Sequence, residues 1–205
     1  MKIAIIGGGA AGFFSALAAK RKFREADVVI YEKSQKVLAK VKISGGGRCN
    51  VTNATFDNRE LSRHYPRGEN YLRKAFEQFN VLSTVEWFEK RGVKLKTYPD
   101  NCIFPQSNDS QTIIDCFVKE ALDLGVRIET GSNVKMIKQT DNGFELHINE
   151  ERMLVDRLIV TIGGQPKRSG LTFLENLGHS IIEPVPSLFT FNMPGNPIRE
   201  LMGNV

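Results

Sequence analysis

The fold is decided by Lys2–Glu32, which reads KIAIIGGGAAGFFSALAAKRKFREADVVIYE. Its first residues, Lys2–Ile6, form a short apolar run rich in β-branched side chains, which is typical of a parallel strand buried on both faces. The run is followed by three glycines at the spacing G-x-G-x-x-G, namely Gly7, Gly9 and Gly12. Ala10–Lys22 then reads as a helix, so the stretch predicts a strand, a glycine turn and a helix.

This glycine turn predicts a dinucleotide site. Gly7 permits the tight turn, Gly9 lets the backbone approach a pyrophosphate, and Gly12 lets the helix pack close to the strand. The first N–H groups of the helix, around Ala10 and Ala11, are expected to face the phosphates, where the helix dipole favours negative charge. The alternative is a tight turn that binds no ligand.

A second strand, Asp27–Tyr31, ends at an acidic residue, Glu32, 20 positions after Gly12. This is the spacing of a carboxylate that accepts a hydrogen bond from a ribose hydroxyl. An acid at this position disfavours a 2′-phosphate, so the expected ligand is FAD or NAD rather than NADP. Lys33, the next residue, is included in the predicted cofactor site.

Composition indicates a soluble, cytoplasmic, globular protein. The 205 residues are 41% apolar and 25% charged, enough for one sizeable domain or one and part of another. The net charge is +5, and a phosphate-bearing cofactor explains the basic residues between Lys33 and Arg48 better than nucleic acid does. The three cysteines and three histidines show no metal-ligand spacing, so no metal is expected. No secretion signal or membrane-spanning stretch is recognised, and the oligomeric state is left open.

The second glycine-rich stretch, SGGGRCNVTN at 44–53, is a poor helix and a poor strand. We interpret it as a second cofactor loop along the pyrophosphate and flavin, because its N–H groups can form an anion nest and its arginine adds a fork of donors. A flexible surface loop is the alternative. The candidate contacts in this loop are Gly45, Gly46, Gly47, Arg48, Cys49, Asn50 and Thr52.

Together, Gly7–Gly12, Glu32 and SGGGRCNVTN resemble the BaiN/RdsA family of NAD(P)/FAD-dependent oxidoreductases, also described as conserved flavoproteins or aminoacetone-oxidase-like enzymes. Asn101–Pro105 is similar to the family's G-R-V-F-P element, with Cys102 where arginine is usual. Further elements that match in order are Thr161–Gly164, Leu177–His179 and Pro184–Leu188. The resemblance implies FAD bound also by Val134, Gly163 and Gly164, with NAD(P)H as the electron donor.

Two departures from the family accompany this resemblance. The segment after Gly164 reads QPKRSGLTFLENLGH in place of T-G-S-x-G-D-G-Y. Family members are also about twice as long, and their C-terminal G-E-x-x-D pattern is absent, so we expect an N-terminal portion. The expected division is an incomplete FAD-binding domain over residues 1–185 and the beginning of an inserted, β-rich substrate domain over residues 186–205.

The middle of the chain predicts an α/β, Rossmann-like domain with a parallel sheet and a three-stranded antiparallel meander. Tyr71–Arg91 has helical periodicity with a break near Asn80, and its aromatic residues are expected in the core. A helix is predicted over Ser107–Leu124, capped by Ser107 or Asn108, and a parallel strand at Val126–Thr130. A hairpin is predicted from Asn133–Thr140 and Gly143–Asn149, and Met153–Asp156 and Arg157–Ile162 are expected to continue the antiparallel pattern. Leu158–Ile162 is expected to return to the parallel sheet, and a further strand is predicted at Leu188–Met193.

The chemistry implied by the resemblance is hydride transfer from NAD(P)H through flavin to an organic acceptor, such as a conjugated double bond in a small molecule. Cys49 and Arg48 are weak catalytic candidates, because no partner cysteine accompanies the thiol. Three alternatives remain open: an enzyme that uses NAD alone, a non-catalytic fragment that only folds or binds cofactor, and a flavin-dependent RNA-modifying protein. The last is disfavoured by the lack of a concentrated basic face, so no nucleic-acid partner is predicted.

Overall fold

The structure is a computed structural model that describes residues 1–165, 167–185 and 193–201. Its helices are α1 (Ala10–Lys22), α2 (Ala39–Ile43), α3 (Asn58–Arg63), α4 (Glu69–Phe76), α5 (Val81–Glu89), α6 (Gln111–Asp123) and α7 (Thr172–Glu175). Its strands are β1 (Lys2–Ile6), β2 (Asp27–Tyr31), β3 (Thr52–Asn53), β4 (Leu95–Thr97), β5 (Cys102–Pro105), β6 (Arg127–Glu129), β7 (Val134–Thr140), β8 (Gly143–Ile148), β9 (Glu151–Val155) and β10 (Arg157–Val160).

A four-stranded parallel sheet in the order β10-β1-β2-β6 is the centre of the molecule. Alternate residues of β1 and β2 face its two sides. Ile3, Ile5 and Val28 pack with α1 and α6 on one side, while Ala4 and Val29 pack with the antiparallel meander on the other. All five are 3% exposed or less, which explains why both strands are continuously apolar. The predicted α/β fold and parallel strands are confirmed.

The predicted meander is also present, as the sheet β7-β8-β9. Thr140 pairs with Gly143 at the predicted hairpin, and a Cβ on Gly143 would lie 2.2 Å from the Val155 carbonyl oxygen, so glycine is required there. The prediction that Arg157–Ile162 continues the antiparallel pattern is wrong. Ile159 pairs in parallel with Ile5, because the chain turns at Asp156, whose carboxylate accepts from the Lys2 N–H at 2.5 Å.

A second antiparallel sheet, β3-β5-β4, was not predicted. Its strands contain four residues at most, too few to show a clear alternation. The sheet packs beside α5, where Val81 and Ile103 are buried together. The break predicted near Asn80 is confirmed, because the Asn80 side chain caps α5 by accepting from the Ser83 N–H at 3.0 Å.

Helix α6 begins at Gln111, so the predicted start at Ser107 and the predicted caps are wrong. Asn108 has φ 55°, a left-handed conformation that cannot belong to the helix. Ser110 occupies the cap position instead, and its buried hydroxyl donates to the Lys42 carbonyl at 2.8 Å. The start of α6 is therefore tied to α2, a short helix that was not predicted.

The predicted strand Leu188–Met193 lies, except for Met193, outside the described residues, and so does most of the expected beginning of a second domain. Within the described part of the chain, no helix combines the length and apolar character needed to cross a membrane.

Candidate dinucleotide-binding site

Three adjoining pockets lie at the carboxyl ends of β1, β2 and β10, the edge of a parallel sheet where ligands bind in open α/β folds. The meander pocket, about 270 Å³, lies between Tyr31 and Val134. The glycine trough, about 300 Å³, follows Gly7–Gly9 and shares Glu32 with the meander pocket. The apolar cleft, about 600 Å³, shares Gly9, Lys40, Thr161 and Gly163 with the glycine trough. The three pockets thus lie side by side along this edge of the sheet, and together they are called the groove.

The glycine turn is packed too closely to tolerate side chains at two positions. A Cβ on Gly7 would lie 2.5 Å from the Thr161 carbonyl oxygen, and Gly7 has φ 105°. A Cβ on Gly12 would lie 1.9 Å from the Gly7 carbonyl oxygen. The Thr161 hydroxyl donates to the Ile6 and Gly7 carbonyls at 2.9 and 3.0 Å, so the residue that follows β10 also holds the turn in place.

Gly9, in contrast, is open, since a Cβ there would meet no atom within 4 Å among the described residues. Gly9 is the residue before α1, and no described side chain caps that helix. Ala10 and Ala11 line the apolar cleft beside it. The first N–H groups of α1 are therefore available to an anion placed against Gly9, in agreement with the expectation from the sequence.

Glu32 lies where the meander pocket meets the glycine trough. Its carboxylate accepts from the backbone N–H groups of Gly8 and Ser34, both at 2.8 Å. Burial raises the pKa of Glu32, but the hydrogen bonds from Ser34 and Gly8 outweigh this effect and hold the pKa below its ordinary value. Glu32 is thus a fixed anionic acceptor at the end of β2.

Only some residues of the SGGGRCN loop line the groove. Ser44, Cys49 and Asn50 line the apolar cleft. Gly45, Gly46, Gly47, Arg48 and Thr52 are not among the described residues that line the three pockets. The Arg48 guanidinium lies 4.2 Å from the Phe104 ring centroid, and its Nε donates to the Gly45 carbonyl at 3.3 Å. Arg48 therefore packs on β5 in this structure.

Cys49 is 6% exposed and has φ 62°. Burial raises the pKa of its thiol, and a hydrogen bond with Ser44 offsets this only in part. The protonated thiol is therefore favoured at neutral pH, and a buried neutral thiol is a poor nucleophile. This environment suits a packing role at the wall of the apolar cleft.

Aromatic side chains form the far wall of the apolar cleft. Phe14 of α1 lies with its ring centroid 5.0 Å from Phe79 and 5.5 Å from Trp87. Trp87 is partly buried against the main core, as predicted, and it also faces the cleft. This wall was not predicted, because α1, α4–α5 and α6 come together only through long-range packing.

The other candidate residues lie along the groove. Val134 and Lys33 line the meander pocket, and Gly163 and Gly164 line the glycine trough. The lining residues that were missed as site residues include Lys40, Gln165 and Phe173. Lys40 had been noted only as one of several basic residues. In the described part of the chain, no three His, Cys, Asp or Glu side chains form a metal cluster.

The fold and the groove define a Rossmann-type dinucleotide-binding protein. A family model described as the HI0933-like protein Rossmann domain matches residues 1–192, and the chain belongs to this family. The resemblance to the BaiN/RdsA type is thereby confirmed.

Two curated relatives are similar to nearly the whole chain. The 3-dehydro-bile acid delta(4,6)-reductase of Clostridium scindens is 29% identical and is matched over 98% of this chain and 50% of its own length. The ribosomal RNA dihydrouridine synthase of Escherichia coli is 29% identical over 96% of this chain and 49% of its own length. The chain thus spans about half the length of the curated relatives it matches.

Solved structures share the fold. The 3-ketosteroid-delta4-(5alpha)-dehydrogenase of Rhodococcus jostii has a TM-score of 0.61 at 15% identity, covering 83% of this chain and 47% of its own. The THI4 protein of Thermovibrio ammonificans has a TM-score of 0.54 at 14% identity, covering 86% and 62%. With the family match, these likenesses support the Rossmann-type fold of the chain.

Proposed function

We propose that this chain binds FAD and forms the cofactor-binding part of an oxidoreductase. The adenosine would lie in the meander pocket, the pyrophosphate in the glycine trough and the flavin ring in the apolar cleft. The observation that carries the proposal is the side-by-side arrangement of the three pockets, the last of which is an apolar cleft of about 600 Å³. A cleft of this size with aromatic walls suits a tricyclic ring better than it suits a nicotinamide.

The residues of the groove fit this cofactor. Gly9 leaves open the space that a side chain would fill, and the N-terminus of α1 is free to bind phosphate. Glu32, held as a carboxylate, would accept hydrogen bonds from the ribose hydroxyls and would repel a 2′-phosphate. Val134, at the start of β7, would contact the adenine.

Bound FAD would supply the hydride-transfer chemistry. The residues of this chain would bind and orient it, and the wall of Phe14, Phe79 and Trp87 would keep water from one side of the cleft. Asn50 carries polar groups at the same cleft, and its side-chain amide donates to the Cys102 sulfur at 3.4 Å. We assign Cys49 to packing.

For the whole protein we propose NAD(P)H as the hydride donor and a conjugated carbon–carbon double bond of a small molecule as the acceptor. The name of the C. scindens relative supports this class of acceptor. The dihydrouridine synthase relatives support a second candidate, in which the reduced double bond belongs to a base in RNA. We further propose that residues 1–185 are the cofactor domain and that the substrate domain begins after them.

The first experiment is titration of the flavin-free chain with FAD, followed by flavin absorbance and fluorescence, with NAD in a parallel titration. Saturable binding of FAD is expected. Binding of NAD alone would replace the proposal with the NAD-dependent alternative. NAD(P)H oxidation by the FAD-loaded chain is then measured with a conjugated enone and with ribosomal RNA as acceptors. Firm FAD binding without turnover would favour the alternative of a cofactor-binding fragment.

A further inference from the structure

A lysine that the glycine motif does not include lies at the junction of the glycine trough and the apolar cleft. Lys40, on α2, lines both pockets. Its Nζ lies 3.4 Å from the position that a Cβ on Gly163 would occupy, so the ammonium sits against the backbone at the end of β10. Gly9, at the start of α1, lines the same two pockets. The lysine and the free helix N-terminus therefore border one junction.

The backbone that carries Lys40 is held at both ends of α2. Leu38 precedes the helix with φ 56° and is 1% exposed. Its N–H donates to the Gly8 carbonyl at 2.8 Å, which ties α2 to the glycine turn itself. At the other end, the Ser110 hydroxyl donates to the Lys42 carbonyl at 2.8 Å. Lys40 therefore extends from a fixed backbone position.

The other cations nearby are engaged elsewhere or lie further along the groove. Arg48 packs on Phe104, and Lys42 is paired with Asp109 at 3.4 Å. Lys33 and Lys36 also line the glycine trough but, unlike Lys40, they do not line the apolar cleft. Among the described residues, Lys40 has no carboxylate partner within salt-bridge distance. Its ammonium is free to bind an anion.

We propose that Lys40 binds the dinucleotide pyrophosphate on the flavin side, together with the N–H groups of α1. This inference rests on the proposed binding of FAD. A lysine ammonium is a compact point charge that commonly binds phosphate, and a helix N-terminus supplies the backbone donors. The contact is made at an exposed groove, so salt should screen it.

The test is the dissociation constant of FAD, measured by quenching of flavin fluorescence at low and at high ionic strength. The variants are Lys40→Met, which removes the charge and keeps most of the apolar length, and Lys40→Arg, which keeps the charge. Lys42→Met is the matched control, because Lys42 lies on the same helix and does not line the groove. Unfolding of each flavin-free variant is measured to establish that the fold is intact.

At low salt, Lys40→Met should weaken FAD binding about ten- to a hundredfold, the range expected for a hydrogen bond to a charged group. The factor should shrink as salt rises. Lys40→Arg should lose less, and Lys42→Met should match the unsubstituted chain. A loss independent of salt, or no loss with Lys40→Met, would overturn the role of Lys40 while leaving FAD binding in place. Absence of FAD binding by the unsubstituted chain would overturn both proposals.

Discussion

Replacement of Gly12 by alanine tests whether the glycine turn is fixed by packing. The added Cβ would lie 1.9 Å from the Gly7 carbonyl oxygen and 3.0 Å from the Thr161 Oγ1. The first contact is against backbone, so no flexible side chain can move aside to relieve it. Helix α1 would have to shift by about 1 Å away from β1, since real Cβ atoms essentially never lie within 3.0 Å of such an atom.

Two effects of opposite sign determine how much Gly12→Ala changes the free energy of unfolding. Alanine stabilises a helix relative to glycine by about 1 kcal/mol. Overpacking a well-packed contact costs about 1–3 kcal/mol, and a clash with backbone belongs at the upper end or beyond it. The net loss should be about 2 kcal/mol, which corresponds to a fall in Tm of about 4–8 °C for a domain of this size.

The assay is thermal and urea unfolding of the flavin-free chain, with Gly9→Ala as the matched control. Gly9 has φ −87° and a Cβ there would be unopposed, so Gly9→Ala should change Tm by at most about 2 °C. The methyl group would face the groove, so FAD binding should still weaken about tenfold or more. If Gly12→Ala unfolds within about 1 °C of the unsubstituted chain, the packing argument is refuted.

Three further outcomes follow from the ionisable groups. In the folded chain the pKa of Glu32 lies below its ordinary value of 4.5, so the carboxylate stabilises the fold fully above pH 4.5 and loses this effect as pH falls through the folded pKa. Glu32→Gln should therefore flatten the curve of Tm against pH below about pH 4.5. An unchanged curve would contradict this. Burial raises the pKa of Cys116 to about 11, whereas Cys102 is only partly buried. Iodoacetamide at about pH 8 should therefore label Cys102 before Cys116, as followed by peptide mass spectrometry. Equal labelling rates of the two thiols would contradict the burial of Cys116. Glu120 of α6 pairs with Arg21 of α1 and with Arg91, which follows α5, and its side chain is 20% exposed. Glu120→Ala should therefore lower stability to urea by about 1–2 kcal/mol, whereas Glu86→Ala, which breaks an exposed pair, should cost about 0.5 kcal/mol or less.

The glycine turn and Glu32 could be predicted because they belong to one continuous stretch of the chain. Between Lys2 and Glu32, each strand, turn and helix follows its neighbour along the chain, and the roles of Gly7 and Gly12 depend on local spacing. When adjacent elements of the chain pack together, their apolar periodicity and turn residues can be read from one short stretch of sequence. This is why the parallel sheet and the glycine turn agree with the prediction.

The apolar cleft could not be predicted to the same degree, because distant segments build it. The apolar cleft combines Ala11, Asn50, Trp87 and Phe117, which come from four separate parts of the chain. Trp87 was expected in the core, against which it is partly buried, whereas Ala11 and Asn50 were expected to contact the cofactor. Packing against the core and lining a cleft require the same residue types, so the sequence pattern could not separate the two roles.

Arg48 and Lys40 show how the conformation of a single turn decides which basic side chain lies at the groove. An arginine next to three glycines was a reasonable candidate for binding phosphate, because its guanidinium is a strong fork of donors. Gly45 and Gly46, however, adopt left-handed conformations, and the turn directs Arg48 onto Phe104. Lys40 comes before the turn, on a helix tied to Gly8 through Leu38, and therefore keeps its place at the groove. The backbone conformation of the neighbouring residues thus decides which basic side chain borders the groove, and the charge pattern alone does not reveal it.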